Sequence, residues 1–84
     1  MAIRIHPHAR ERMRERGATP AEVIRTVSTG TSRPAKFGRW EYRQTFNFNA
    51  QWLEKHYAKK RIEAFVAHLP NGDRLVVSIL VKYF

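Results

Sequence analysis

The apolar positions of this chain change period part-way along, from helical spacing before residue 30 to alternation after residue 39. In the first stretch, His6-Pro7 marks a helix start. His6 supplies the N-cap, and Pro7 takes the first helical position, where a missing N–H goes unneeded. Gly17 closes the segment as a C′ residue, which predicts a helix over 7–16. Thr19-Pro20-Ala21-Glu22 opens a second helix with a capping box, and Val23, Ile24 and Val27 are its predicted buried stripe. That helix ends before Gly30. Residues 29–38 hold two glycines and a proline among small polar residues, so they predict a loop.

From Trp40 onward the period is two. Trp40, Tyr42, Phe46 and Phe48 alternate with Glu41, Arg43, Thr45 and Asn47, as in a half-buried strand. Residues 61–69 and 74–84 predict two more strands around Pro70-Asn71-Gly72-Asp73. With Asn71-Gly72 as a two-residue type I′ turn, Leu69 faces Arg74 and Val66 faces Val77. That register puts Ile62, Ala64 and Val66 on one face with Leu75, Val77, Ile79 and Val81. Two readings stay open for 49–60: a helix capped by Asn49, with Trp52, Leu53, His56 and Tyr57 on one side, or a long irregular loop. The predicted fold class is α+β: two N-terminal helices packed on one face of a three- to four-stranded antiparallel sheet, in a single domain.

A chain of 84 residues supports one modest core. Its 43% hydrophobic and 12% aromatic content is globular. The absence of cysteine excludes disulfides and thiolate metal sites. No apolar run reaches the ~18 residues that span a bilayer, and the N-terminus lacks a signal-peptide core, so a soluble, cytoplasmic protein without a membrane partner is expected. Sixteen Lys and Arg against seven Asp and Glu give a net charge of +9. Residues 1–43 carry ten basic and four acidic side chains and the remainder six and three, so no basic tail accounts for the excess. An anionic partner is implied, either nucleic acid or an acidic protein.

Three constellations carry chemistry. His8, Arg12 and Arg16 recur every four residues and form one ridge along the first helix. Neighbouring arginines and the helix N-terminus favour the neutral imidazole, which suits proton transfer from a 2′-hydroxyl while arginines hold the phosphorane. The same residues also fit a structural role, with the arginines paired to Glu11, Glu15 or the sheet and His8 helping to cap the helix. By strand parity the outward face of the sheet shows Arg43, Thr45, Asn47, Arg61, Glu63, Phe65, Arg74, Val76, Ser78, Leu80 and Lys82. Basic residues around Phe65 suit single-stranded RNA, while Val76 and Leu80 suit a protein interface as well, and a bare solvated face fits too. The run Lys55–Arg61, with Lys59, Lys60 and Arg61 at its end, offers phosphate contacts or a solvated surface. No cofactor is expected. His6-x-His8 has no Asp/Glu cluster nearby to complete a metal site, His68 reads as structural, and neither a nucleotide loop nor a nucleophile elbow is present.

His8-Ala9-Arg10-Glu11-Arg12-Met13-Arg14-Glu15-Arg16-Gly17, followed by Thr19-Pro20-Ala21-Glu22-Val23-Ile24, resembles the opening of the family described as domain of unknown function 4258. Arg61–Leu69 and Arg74–Tyr83 resemble its closing hairpin. That family is similar in layout to the RelE-like ribonuclease toxins, which are small, basic and metal-free. The resemblance implies RNA or the ribosome as a target and an acidic antitoxin-like protein as a partner, and it marks His8, Arg12 and Arg16 as signature positions. Three functions are therefore expected to compete: a metal-independent endoribonuclease, a non-catalytic RNA-binding or ribosome-associated module, and a domain that docks an acidic protein.

Overall fold

A computed structural model describes residues 2–84 and shows an α+β chain of two helices and one five-stranded sheet. In chain order the elements are β1 (Ile3–Ile5), α1 (Pro7–Arg16), α2 (Pro20–Thr29), β2 (Thr31–Pro34), a 3-10 turn (Lys36–Gly38), β3 (Trp40–Trp52), β4 (Lys55–His68) and β5 (Arg74–Tyr83). The strands lie in the order β1-β5-β4-β3-β2. All neighbours are antiparallel except β1, which runs parallel to β5 with Ile3 opposite Arg74.

Both helices form where their caps direct. The His6 side chain accepts the His8 N–H at 3.1 Å, and Gly17 turns left-handed at φ 81 while Ala18 N–H reaches the Met13 carbonyl. In α2, Thr19 and Glu22 complete the capping box in both directions. Ala9, Met13, Val23 and Val27 then bury against Tyr42, Ile62, Ala64, Val66, Val76 and Ile79. Every core residue comes from the helices, from Ala18 in the turn between them, or from one face of the sheet. The other face carries no helix.

Four expectations are corrected. The sheet is mixed and five-stranded because residues 3–5 and 31–34, too short to show alternation, add themselves as its two edges. Residues 49–60 are neither helix nor irregular loop. They prolong β3 and β4 into one hairpin turned at Leu53 and Glu54, both with positive φ. Those are the dihedrals of a type I′ turn, reached here without glycine or asparagine, and Asn49 at φ 45 sits in a bulge that shifts the pairing before it. In α2 the buried third position belongs to Thr26, whose hydroxyl donates to the Glu22 carbonyl, while Ile24 is exposed.

The fourth correction concerns the last hairpin. Gly72 N–H donates to the Leu69 carbonyl, Leu69 N–H to the Asp73 carbonyl, and Gly72 alone of the turn takes positive φ. The loop is thus the three residues Pro70–Gly72, and it moves the register by one. Val66 pairs with Val76, not Val77, and Val76 fills the core. A bulge between Phe65 and Val66 then absorbs Val77, so that Ala64 opposite Ile79 and Ile62 opposite Val81 follow the predicted register. Val76→Ala should therefore lower unfolding stability by about 2 kcal/mol, the loss expected for two buried methyl groups, and Val77→Ala by less than about 1. Urea unfolding of the two variants measures this, and the reverse order would restore the two-residue turn.

Candidate nucleic-acid interface

Strand register sets the helix-free face in rows. The first runs Arg33, Glu41, Phe65, Ser78 across four strands, and the second Thr31, Arg43, Glu63, Leu80. A third runs Thr45, Arg61, Lys82, and beyond it Lys59 stands opposite Asn47. Arg43, Arg61, Phe65 and Lys82 are thus brought to one surface, as parity predicts, and the longer β4 adds Lys59 to it.

Two carboxylates lie beneath these cations. Glu41 accepts from Arg43 at 2.6 and 3.0 Å and from Arg33 Nε at 3.2 Å. Glu63 accepts from Arg61 Nε at 3.0 Å and has Lys82 Nζ at 3.5 Å. The side chains of Glu41 and Glu63 are 8% and 4% exposed, against 65% for Arg33 and 56% for Lys82. What faces water is cationic. Burial pushes the Glu41 carboxyl up, but the hydrogen bonds from Arg43 and Arg33 outweigh it and hold the group below the usual carboxylate range. The same contact raises Arg43. Four cations over two carboxylates leave a positive surface with its geometry fixed from below.

Between the strap that joins β2 to β3 and the sheet lies a concavity of about 610 Å³. Its lining includes Pro34, Lys36, Phe37 and Arg39 from the strap and its ends, and Phe65, Val77 and Ser78 from the sheet. These strap residues were missed because 29–38 reads as loop. The signal was an aromatic between basic neighbours, Arg33-Pro34-Ala35-Lys36-Phe37-Gly38-Arg39.

Lys60, expected to offer phosphate contacts, and Arg74 and Val76, expected on the outward face, lie elsewhere. Lys60 is buried on the helix side, where its ammonium donates to the Gly17 carbonyl at 2.9 Å and Glu22 at 2.8 Å. Its parity follows Ile62, not Arg61. Arg74 also faces the helices, donating to the Val27 carbonyl at 2.9 Å with its guanidinium over the Tyr42 ring. Val76 is in the core for the register reason given above.

His8, Arg12 and Arg16 share α1 but do not converge. Arg16 donates to the Ile79 carbonyl on β5, and Arg12 makes an exposed contact to Glu15 at 3.4 Å. His8 is exposed, its ring 5.4 Å from that of His6. Since both helices pack on the opposite side of the sheet, this ridge and the cationic rows are separate surfaces. His68 accepts from or donates to the Tyr42 hydroxyl at 3.0 Å and stacks on Trp40. Among the described residues no three His, Asp or Glu side chains gather as metal ligands, and no helix is long and apolar enough to cross a membrane.

No family model, curated protein or solved structure matches this chain. The site therefore stands on its own geometry. Two further carboxylates sit below their usual range. Glu22 is pushed up by burial and more than compensated by Lys60 and Thr19, and Asp73 is lowered first by the Ala2 N–H and then helped by Asn71 and Arg4. A depressed carboxylate contributes stability in full above its ordinary value, about 4.3 for Glu, and loses it as the pH falls through the lower folded value. Stability should stay level from pH 7 to about 5 and fall below about 4. Glu41→Gln should shallow that acid slope in denaturant titrations. An unchanged slope would mean that the arginines do not hold Glu41 ionised.

Proposed function

We propose that this protein binds RNA through the helix-free face of its sheet. The observation that carries the reading is the stand of Arg33, Arg43, Lys59, Arg61 and Lys82 on one surface around Phe65, with no helix above it. A flat basic sheet with an aromatic suits a single strand, whose phosphates meet cations while a base meets a ring. The net charge of +9 supports the same class of partner through counterion release. The resemblance to RelE-like toxins in the sequence implies the same class of target. On that view the ribosome or an acidic antitoxin-like protein would meet the same positive chain.

Metal-independent cleavage is the second reading, and one observation favours it. The His8 ring is exposed, makes no hydrogen bond among the described residues, and has Arg12 one turn along the same helix. Here His8 would move the proton and Arg12 hold the phosphate. Arg16, tied to Ile79, would act on the helix and not on the substrate.

Fluorescence titrations of a labelled single-stranded RNA test the first reading. About four phosphate contacts give a slope of log affinity on log salt near −3, and Arg61→Ala should reduce its magnitude by about 0.7. Absence of binding at low salt would remove the proposal. For the second reading, His8→Ala should cut cleavage by about 10²–10⁴-fold with affinity unchanged. Cleavage retained in that variant would make the histidine a helix-start residue only.

A further inference from the structure

The cations of the helix-free face are not equally free. Arg33 and Arg43 are held by Glu41, and Arg61 and Lys82 by Glu63. Lys36 and Arg39, on the strap, make no ion pair among the described residues. The Arg39 Nε is buried and has no hydrogen-bond partner, the one such side-chain atom among the described residues. A buried donor without an acceptor carries a standing cost that an incoming acceptor removes. Lys59 is also without an ion pair among the described residues, but of these three cations only Lys36 and Arg39 line the 610 Å³ concavity.

The aromatic beside them is held at a cost as well. Phe37 takes the left-handed region, φ 62 and ψ 33, which a bulky residue rarely adopts, and it is 88% exposed. No burial offsets that conformation. Phe65, half-buried on β4, lines the same concavity. Apolar walls from two phenylalanines, with two unpaired cations on one rim, match a flat apolar ring that carries an anion.

The geometry points to a binding site for one unpaired nucleotide, its base between Phe37 and Phe65 and its phosphate on Lys36 and Arg39. The site rests on the RNA reading and narrows it. A base can enter the concavity only if it is out of a duplex, so the target is single-stranded at that point. The paired cations along the rows then guide the flanking phosphates, and the strap supplies the anchor.

The 84-residue chain, isotope-labelled, is titrated with adenosine 5′-monophosphate, adenosine and inorganic phosphate while amide resonances are followed. The nucleotide should move Phe37, Arg39, Phe65 and Ser78 together, and inorganic phosphate only Lys36 and Arg39. Phe37→Ala should weaken the nucleotide by about 5- to 150-fold, the range that stacking one base on an aromatic supports, with thermal stability unchanged or higher. Phe37→Trp should restore binding. Nucleotide shifts that miss the strap, or full affinity in Phe37→Ala, would overturn the site. The two proposals fail differently. RNA that binds the chain and its Phe37→Ala variant alike removes the nucleotide site and leaves the cationic face, whereas mononucleotide binding at the strap without RNA binding removes the RNA reading and leaves the site.

Discussion

The ammonium of Lys60 ties the helix layer to the sheet at the corner where α1 turns into α2. It rises from the helix side of β4, passes the ring of Phe48 at 5.1 Å, and ends between the Gly17 carbonyl and the Glu22 carboxylate. Glu22 is at the same time the capping-box residue of α2, so one carboxylate serves helix start and sheet anchor together. A buried charge left without its partner is expensive, by about 3–5 kcal/mol, which makes this corner hard to rearrange. The Tyr83 hydroxyl, bonded to the Arg16 carbonyl, and the Arg16 guanidinium, bonded to Ile79, close it from the β5 side. Gly17 has to be glycine there, for its left-handed φ and because a Cβ would lie 2.5 Å from that hydroxyl and 2.8 Å from Trp52.

Because both helices are pinned to one side, the chain keeps a sheet face bare, and that face needs its own means of order. Long basic side chains on an open sheet would ordinarily spread over many rotamers, at up to ~2 kcal/mol of entropy each. Glu41 and Glu63, sunk among them, fix where the guanidinium groups stand. Part of the ordering that a bound strand would otherwise impose is thus complete before binding, at the cost of two of the face's positive charges.

How much of this was legible in the sequence depended on how local the determinant was. The caps at His6, Thr19, Glu22 and Gly17 act within a few residues, and each is where the chain advertises it. Alternation placed Arg43, Arg61, Phe65 and Lys82 on the outward face correctly. It failed at Arg74 and Val76, because a three-residue turn and a compensating bulge leave the period of two intact in sequence while shifting it in space. The hairpin tip at Leu53-Glu54 carried no turn residues to betray it. Lys60 was hidden by its company: a run of basic residues reads as surface, yet its parity with Ile62 already pointed inward. The strap was unreadable for a different reason, since nothing local reports that Phe37 and Phe65, 28 positions apart in the chain, line one concavity.

The parallel pairing of β1 with β5 bears on how the chain is made. Ile3 meets Arg74, and Ala2 reaches Asp73, so β1, made before the other strands of this sheet, finds its place only beside β5, made after them. Closing so long a loop is entropically costly, and the three residues of β1 bring few contacts in return. During synthesis β1 must stay unpaired, and the Ala9 and Met13 side of α1 has no sheet to cover it. The segment of β1 and α1 is therefore an open, basic piece of chain until the sheet is complete, exposed to whatever binds nascent polypeptides, and it is withdrawn from them when β5 arrives.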